Sequence, residues 1–373
     1  MKIRIMHILY SFDIGGLENN IVNLINRMDR GRFSHSICIF SDRMAALQKI
    51  EIKDVKVFIV KRKFANDPTL IFRLARLLRN EHPDIVGTYN WGAIEGIPAA
   101  RLAGVKRVVH SEHGFDLEEI YRKKLRRIFV RRFLLKKCDK IIAVSRLIKR
   151  WLMETVKIAE DRIVYVPNGC DLKIFYPGKD MERRRSLGIE DRDIVIGSVG
   201  GLKEIKGYDL LIAAFTKIAK ERDDLKLLLV GDGPKKDELK KLAEEAGVAE
   251  KIIFTGEIIE TAPFYRAMDI FVLSSLAENF PIALLEAMAT GLPIVATDAG
   301  DAGYMLDAGA GGLLVTTKDA AAIAKGVEYL LNDRTEAVKK GGIARKRVEE
   351  LFSLDRMTGA YESLYLTVSG QRG

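Results

Sequence analysis

The sequence predicts an α/β protein with two doubly wound domains, each a mostly parallel sheet covered by helices. Its 373 residues exceed what one hydrophobic core usually serves, so two domains are expected. Short runs rich in Ile and Val alternate with longer helical patterns, and this alternation occurs twice. Between the two series, PNGCDLKIFYPGK at 167–179 carries two prolines and two glycines, which is typical of a linker. We therefore assign 1–171 to an N-terminal domain, 172–352 to a C-terminal domain, and 353–373 to a helix that packs back on the first domain.

The elements of both series follow in order. The first series has the strand patterns IRIMHIL, SICIF, VKVFIV, DIVGTY, RVVHSE, KIIAVS and IVYVP, with helical patterns such as LENNIVNLINRM between them. The second has DIVIGSVG, KLLLVGD, KIIFTGE, IFVLSS, PIVATD and GLLV, with helical patterns such as YDLLIAAFTKIAKE. Open sheets of this kind bind ligands beyond the carboxyl ends of their strands. We therefore expect the ligand site in a cleft between two facing domains.

Composition restricts the class of protein. Hydrophobic content of 48% and charged content of 30% are typical of a soluble globular chain. The cysteines Cys38, Cys138 and Cys170 are odd in number and far apart, which argues against a disulfide framework or a zinc site and favours a reducing cytoplasm. The opening MKIRIMHILY carries charges within its apolar run, so it predicts a first strand and not a signal peptide. Without an apolar stretch long enough to span a bilayer, the sequence indicates a cytoplasmic protein.

A basic segment at 121–137, YRKKLRRIFVRRFLLKK, holds nine Lys or Arg residues and no acidic residue, within a chain of net charge +10. Its interleaved apolar residues include Leu125, Ile128, Phe129, Phe133 and Leu135, while Val130 and Leu134 lie off this set and Arg132 and Lys136 interrupt it. On a helix much of this set falls on one side, which favours contact with an anionic membrane surface at the inner face of the cell membrane. The alternative is a solvated helix whose apolar residues pack on the domain core. Nucleic acid is not expected, because no recognised binding module surrounds the segment.

Glycine-containing loops follow several strands. Gly15 and Gly16 precede a helix expected near Leu17, where they allow a phosphate to approach the helix N-terminus or simply form a turn. Lys206, beside Gly207 in SVGGLKEIKGYD, can hold a phosphate as a point charge or be a solvated surface lysine. Gly231, in VGDGP, is expected in a tight turn that lines the cleft. That loop is not a dinucleotide fingerprint, because Lys236 stands where the third glycine is required.

Two histidines, His110 and His113, stand at the end of a strand in HSEHGFD. A metal pair would need further ligands, and none is evident nearby in the sequence, so no metal is expected. A packed, hydrogen-bonded histidine is the default, while a position at a strand end favours contact with a substrate.

Two carboxylates, Glu278 and Glu286, stand eight positions apart in ENFPIALLEAMATGLPIVAT. On a helix that spacing corresponds to about 12 Å with different facings, which disfavours one cooperating acid/base dyad. Pro281 suits the first helical turn, so Glu278 is expected in the preceding loop and Glu286 in the second turn. The amides near Asn279 would then form a positive helix end, an arrangement that suits a nucleotide sugar.

Taken in order, the motifs resemble those of family 4 glycosyltransferases, the group 1 retaining enzymes with the GT-B fold of two Rossmann-like domains. They are GGLE (15–18), SEHG (111–114), VPNGCD (166–171), GLKEIKG (201–207), VGDGP (230–234) and the E-seven-E motif. The opening SFDIGGLEN with HSEHGFD is especially similar to bacterial transferases of exopolysaccharide assembly. The resemblance implies transfer of a sugar, with retention, from a nucleoside diphosphate donor to a glycan or lipid-linked acceptor. A UDP-sugar is favoured, GDP-mannose is possible, and no metal or other cofactor is implied.

The resemblance also implies roles for individual residues. Catalytic contacts fall on His113 near the reacting carbon, Lys206 on the leaving diphosphate, and Glu278 on the donor sugar. Glu286 is expected to bind the ribose hydroxyls, and Gly16 to approach the diphosphate. The complete set expected at the donor is Gly15, Gly16, Gly201, Gly231, Asn279, Phe280, Pro281, Ile282 and Glu286.

Two positions depart from the family pattern: Tyr304 stands where many relatives carry a glutamate, and, as the larger departure, Gly201 stands where the family usually has an arginine. The missing charge-assisted contact is of a kind worth about 1.5 to 3 kcal/mol, unless Lys203 or another cation replaces it. A catalytically weak nucleotide-sugar-binding or scaffold subunit, partnering an active transferase, is therefore the alternative. A nicotinamide dehydrogenase is disfavoured by the missing fingerprint, and a glycoside hydrolase by the carboxylate spacing.

Overall fold

The computed structural model describes residues 2–13, 15–64, 67–114, 125–220 and 222–370, which form two compact α/β units. Unit 1 comprises Met1–Gly169 and Leu354–Gly373, and unit 2 comprises Cys170–Ser353. The predicted α/β class is confirmed, because each unit is built on a parallel sheet with helices packed against it. The chain passes from unit 1 to unit 2 after Gly169 and returns after Ser353, where the sequence suggested 171 and 352.

Within the described residues, unit 1 has a seven-stranded sheet in the order β3-β2-β1-β4-β5-β6-β7, with every pair parallel. Its strands are β1 (Ile3–Leu9), β2 (Phe33–Ile39), β3 (Lys56–Ile59), β4 (Ile85–Tyr89), β5 (Arg107–Glu112), β6 (Lys140–Ala143) and β7 (Ile163–Tyr165). The central strands are buried on both faces, which explains their nearly continuous apolar runs.

The helices of unit 1 cover both faces of this sheet. They are α1 (Gly16–Arg27), α2 (Thr69–Glu81), α3 (Gly96–Leu102), α4 (Leu125–Leu135) and α5 (Arg146–Trp151). Met6 and Ile8 of β1 pack into the core beneath α2, α3, α4 and α5, whereas the alternate residues Ile5 and Leu9 join cores on the opposite face. The period of two along β1 thus assigns its side chains to two layers.

In the part of unit 2 that the structure describes, six parallel strands follow the order β10-β9-β8-β11-β12-β13. The strands are β8 (Ile194–Val199), β9 (Leu225–Val230), β10 (Ile252–Phe254), β11 (Ile270–Leu273), β12 (Ile294–Thr297) and β13 (Leu313–Val315). The helices are α6 (Met181–Ser186), α7 (Tyr208–Ala219), α8 (Lys236–Glu245), α9 (Ala262–Ala267), α10 (Ile282–Ala289), α11 (Ala302–Met305), α12 (Ala320–Asn332) and α13 (Arg334–Leu351). Strand order reverses between β8 and β11, where such sheets bind ligands.

The last helix, α14 (Leu354–Ser369), belongs to unit 1. It packs beside α1, and Tyr361 and Tyr365 are buried with Ile3 and Ile5 of the central strand. The two ends of unit 2 lie together, since the Cys170 amide donates to the Phe352 carbonyl over 2.9 Å. Unit 1 is therefore assembled from two separate stretches of chain.

The basic segment is only partly visible, because residues 121–124 lie outside the described residues. In α4 the apolar set is divided between two sides, because Ile128 and Leu135 are buried in the core. Leu125, Phe129 and Phe133, spaced by four, are instead 67%, 69% and 58% exposed. Packing of Ile128 and Leu135 into the core leaves this second row facing solvent. Among the described helices, none is long and apolar enough to cross a membrane.

Candidate functional site

The carboxyl edge of the unit 2 sheet brings two predicted site residues together. Lys206 lies in the loop after β8, and Glu278 lies in the loop after the neighbouring strand β11. Lys206 Nζ is 2.6 Å from Glu278 Oε1, and the Ser275 hydroxyl donates to the same oxygen over 2.7 Å. The lysine side chain is 26% exposed and the glutamate side chain 11% exposed, so this ion pair is half-buried yet accessible to an anion.

Backbone geometry fixes the lysine loop against the loop after β11. Gly207 has a φ of 61°, and a Cβ there would lie 2.4 Å from the Ser274 carbonyl oxygen, so glycine is required. The Ser274 hydroxyl donates to the Lys206 carbonyl over 2.8 Å, and the Leu276 amide donates to the Ile205 carbonyl over 2.8 Å. These contacts set the position of Lys206 before any ligand arrives.

Glu286 lies in the second turn of α10, as predicted, and Glu278 precedes the helix. Pro281 caps the helix, one position before the expected one, and Ile282 is the first helical residue. The Tyr265 hydroxyl donates to Glu286 Oε2 over 2.8 Å. Burial and the nearby Glu286 raise the pKa of Tyr265 well above its usual value, so the phenol remains a donor. The two glutamates therefore have different partners, in agreement with the argument against a dyad.

The approach to α10 is shaped by a second glycine contact. Gly300 has a φ of 61°, and a Cβ there would lie 2.3 Å from the Glu278 carbonyl oxygen. The Asp301 amide donates to the Asn279 carbonyl over 3.1 Å. Phe280 is buried, with its ring 5.6 Å from that of Phe352 in an edge-on arrangement. This segment is thus held by its backbone on one side and by an aromatic anchor on the other.

The loops after β8 and β9 pack against each other. Gly231 has a φ of 138°, and a Cβ there would lie 2.2 Å from the Gly200 carbonyl oxygen, so Gly231 serves close backbone contact. The Leu202 amide donates to the Asp232 carbonyl over 2.9 Å. Gly201 is less constrained: a Cβ there would meet Lys203 Cε at 3.5 Å, an ordinary contact. The Lys203 side chain therefore passes over the position where the family usually has an arginine.

In unit 1, the predicted glycine pair stands at the start of α1. Gly15 is the N-cap with an extended backbone, and Gly16 is the first helical residue, one position earlier than expected. The Asn19 amide donates to the Gly15 carbonyl over 2.9 Å, so the helical bonding begins there. The free amides of the first turn make this helix end electropositive.

The two histidines of HSEHGFD have different surroundings. His113 directly follows β5, its amide donates to Asn90 Oδ1 over 2.7 Å, and its ring lies 5.9 Å from that of Tyr89. Burial lowers the pKa of His113 to about 3, so the imidazole is neutral at neutral pH. His110 is fully buried, with Nδ1 2.7 Å from the Thr88 hydroxyl. His110 is therefore a packed histidine, and His113 is the one at the strand end.

Among the described residues, no cluster of three or more His, Cys, Asp or Glu side chains could hold a metal ion. All three cysteines lie in described ranges and are buried, unbridged thiols.

Two contributors to this site were missed by sequence reasoning. Ser275 stands three residues before Glu278 at the end of a strand, and this S-x-x-E spacing was a usable local signal. Tyr265 carries no local signal, because it reaches Glu286 only through the packing of α9 on α10.

Comparison with known proteins identifies the family. The model of glycosyltransferase family 4 matches residues 14–174, and the model of glycosyl transferases group 1 matches residues 179–347. A GDP-mannose-dependent alpha-(1-6)-phosphatidylinositol monomannoside mannosyltransferase of Mycobacterium tuberculosis is 30% identical over 309 residues, which cover 78% of this chain and 77% of the relative. A UDP-Gal:alpha-D-GlcNAc-diphosphoundecaprenol alpha-1,3-galactosyltransferase of Escherichia coli is 27% identical over 309 residues, 80% of this chain and 79% of the relative.

Solved structures show the same fold. The crystal structure of Anabaena Alr3699/HepE in complex with UDP and glucose matches with a TM-score of 0.86 at 19% identity, covering 98% of this chain and 100% of that chain. Both units are Rossmann-like domains of the GT-B fold, and with the two family models matched in succession, the chain belongs to the group 1 and family 4 glycosyltransferases.

Proposed function

We propose that this protein transfers a sugar from a nucleoside diphosphate donor to a glycan or lipid-linked acceptor in polysaccharide biosynthesis, with retention of the anomeric configuration. The observation that carries the proposal is the Lys206–Glu278 pair at the carboxyl edge of the unit 2 sheet. A cation held beside a carboxylate suits a ligand with an anionic diphosphate and a polyhydroxylated sugar. Lys206 neutralises charge on the leaving diphosphate, Glu278 accepts hydrogen bonds from the sugar, and no metal is required.

A UDP-sugar is the donor we favour, with GDP-mannose as the second candidate. The Escherichia coli relative is named for UDP-Gal, and the Anabaena structure was determined with UDP and glucose. The mycobacterial relative is named for GDP-mannose. In either case Glu286, held by Tyr265, binds the ribose hydroxyls, and the start of α10 faces the donor with its free amides.

Together with retention of the anomeric configuration, we propose that His113 forms a hydrogen bond with the donor sugar. The family resemblance implies contact between this histidine and the donor sugar, and its neutral ring can accept or donate a hydrogen bond there. His113 Nε2 is buried and, among the described residues, has no hydrogen-bond partner. That atom is therefore available to a sugar hydroxyl.

We propose further that the protein works at an anionic membrane surface, at the inner face of the cell membrane. The exposed row of α4, formed by Leu125, Phe129 and Phe133, would enter the boundary between head groups and acyl chains. Arg126, Lys136 and Lys137 are exposed beside it, and Lys137 Nζ lies 4.8 Å from the centre of the Phe133 ring. This combination of aromatic rings and cations fits anionic lipid head groups.

A scaffold subunit is the second candidate, because Gly201 lacks the cation that the family usually places on the diphosphate. The position of Lys203 over Gly201 supports an active enzyme, since this lysine can supply the missing charge.

The test is a donor screen with purified protein. UDP-, GDP-, ADP- and CMP-sugars are compared for thermal stabilisation and for slow nucleotide release by hydrolysis. Stabilisation by one donor, with hydrolysis lost in Lys206→Ala and kept in the surface variant Lys241→Ala, would support the transferase. NMR of the anomeric proton of the transferred sugar then tests retention. Absence of any response to the donors would favour the scaffold subunit.

A further inference from the structure

Helix α4 has a buried face that carries a charge. Ile128, Arg131 and Leu135 point into the core of unit 1, and Arg131 is completely buried. A buried guanidinium is costly unless it is paired and hydrogen-bonded. The surroundings of Arg131 therefore require an explanation.

Arg131 contacts a carboxylate and two indoles. Its Nε donates to Glu112 Oε1 over 2.7 Å, and Glu112 is also completely buried. The guanidinium lies 5.3 Å from the centre of the Trp91 ring and 5.0 Å from that of Trp151. Burial raises the pKa of Glu112, but Arg131 and His110 outweigh burial and leave that pKa below its ordinary value. The pair is therefore ionised.

Two of these contacts adjoin the segments that hold His113. Glu112 directly precedes His113 in the chain. Trp91 directly follows Asn90, whose side-chain oxygen accepts the His113 amide over 2.7 Å. The Asn90 amide in turn donates to the Ser111 carbonyl over 2.9 Å, which ties the ends of β4 and β5 together. Arg131 thus touches both strand ends that fix the backbone of His113.

Stability alone is a poor reason for this arrangement. Replacing a buried ion pair by apolar residues of similar volume is often neutral or stabilising, because the desolvation of both charges offsets their attraction. The planar guanidinium, however, can donate from Nε to Glu112 Oε1 and lie against both indoles in only one orientation. What the pair supplies is a fixed register between α4, the end of β4 and the end of β5.

We infer that Arg131 is a positioning residue, which acts through Glu112 and Trp91 to hold His113 in the orientation that sugar transfer needs. The inference rests on the proposed function, in which His113 contacts the donor sugar. It goes further by assigning to the inner face of α4 a task in the reaction, separate from the membrane contact proposed for the outer face.

The test compares Arg131→Lys with Arg132→Lys. Lysine keeps the charge but loses the planar fork and the stacking on both indoles. Arg132 is the matched control, because it donates to the Val156 and Thr155 carbonyls and not to the segments around His113. We expect Arg131→Lys to lower kcat by about tenfold or more with the Kd for UDP unchanged. A misoriented His113 would slow the transfer step without weakening the binding of the nucleotide. Arg132→Lys should leave kcat nearly unchanged.

A double-mutant cycle separates positioning from general structural damage. If Arg131 acts through His113, Arg131→Lys has no further effect on kcat in a His113→Ala background. An equal fall of kcat in both backgrounds, or an unchanged kcat in the single variant, overturns the inference.

A readout without turnover keeps the inference distinct from the proposed function. The imidazole proton signal of His113 should shift or broaden in Arg131→Lys, while that of the exposed His82 stays in place. A His113 signal unchanged by the substitution overturns the positioning role, whatever the activity. If the His113 signal shifts in Arg131→Lys but the wild-type protein turns over no donor, the contact of Arg131 with the His113 segment is supported and the proposed function is contradicted. If Arg131→Lys fails to fold, Glu112→Gln gives the same comparison with the shape of the side chain kept.

Discussion

Lys206 and Glu278 form an ion pair of 2.6 Å although 72 residues separate them in the chain. Each is held by its own loop, and Ser275 donates to the carboxylate as well. The lysine therefore has a defined position, and in the proposed function a diphosphate would compete with Glu278 for its charge.

Lys206→Ala should lower kcat/KM for the donor by roughly ten- to a hundredfold, since a hydrogen bond to a charged group is worth about 1.5 to 3 kcal/mol. Steady-state nucleotide release measures the change. Lys241→Ala, a substitution of an exposed lysine on α8, is the control. Equal rates for Lys206→Ala and wild type would contradict the assigned role.

Glu286→Ala should weaken UDP binding, because the ribose hydroxyls lose their acceptor. Calorimetry should show about a tenfold or greater rise in Kd, in the range of a charged hydrogen bond. The control ligand is 2′,3′-dideoxy-UDP, which lacks the ribose hydroxyls. Wild type and Glu286→Ala should bind this ligand with similar affinity. Tyr265→Phe removes the donor that orients Glu286 and should reproduce part of the loss. A loss of affinity as large for the dideoxy ligand as for UDP would show that Glu286 does not act on the ribose.

Gly201→Arg should fold and should tighten diphosphate binding. A Cβ at Gly201 would meet the flexible end of Lys203 at 3.5 Å and the Asp232 carbonyl oxygen at 3.7 Å, both ordinary contacts, so the backbone accepts a side chain there. The added guanidinium can offer two donors to a phosphate. Calorimetry with UDP measures the gain. The contrasting variant Gly231→Ala should be destabilised, because its Cβ would collide with the Gly200 carbonyl. A weaker affinity for UDP in well-folded Gly201→Arg would refute this prediction.

Replacing Leu125, Phe129 and Phe133 together by Ser should abolish sedimentation with vesicles that contain phosphatidylglycerol. Burial of one large apolar side chain is worth about 1.5 to 3 kcal/mol, so each substitution should weaken binding by about tenfold or more. Val338→Ser, at a residue 69% exposed in unit 2, is the control. Undiminished sedimentation of the triple variant would exclude the outer face of α4 as the contact. Arg131 and Arg132 are unsuitable targets here, because they serve the interior of unit 1.

The stability of unit 1 should fall as pH is lowered from about 6.5 towards 4. Burial lowers the pKa of His7 well below its usual value, that of His35 to about 4, and that of His113 to about 3. The unfolded chain therefore binds protons in this window while the folded chain does not, and each histidine contributes a slope of up to about 1.4 kcal/mol per pH unit. The raised pKa values of Glu18 and Glu95 offset part of this.

Urea unfolding followed by tryptophan fluorescence checks the slope, since both tryptophans, Trp91 and Trp151, lie in unit 1. His35→Asn should make the dependence on pH shallower by about one proton. A dependence identical in both proteins would show that His35 does not couple protonation to folding.

Much of the fold could be predicted, because a strand that is buried on both faces has apolar residues at nearly every position, and such runs are recognisable in the sequence. The central strand β4, Ile85–Tyr89, is buried throughout. The ends of elements were predicted less exactly: the predicted strand VKVFIV is reduced to β3, Lys56–Ile59, at the sheet edge, and α1 begins one residue before the expected position. In α4, sequence spacing could not tell which part of the apolar set meets the core, since that depends on the neighbouring helices.

The sequence indicates which loops carry the candidate site residues, but not how their side chains contact one another. Lys206 and Glu278 were found from their loops, yet only the adjacency of β8 and β11 brings the two side chains together. The partner of Glu286, Tyr265, belongs to a different helix and left no local pattern. Arg131 is one of the nine basic residues of 121–137, and a helical period alone does not reveal its buried carboxylate partner on a neighbouring strand.

The division of unit 1 into two stretches has a consequence for the order of folding. All of unit 2 is synthesised before α14, Leu354–Ser369, exists. The side of the unit 1 sheet that Tyr361 and Tyr365 cover therefore stays partly open during most of translation, with Ile3 and Ile5 lacking these two neighbours. Domains generally form as units while the chain emerges. In this protein the second unit can finish first, and the one made first must wait for the last helix.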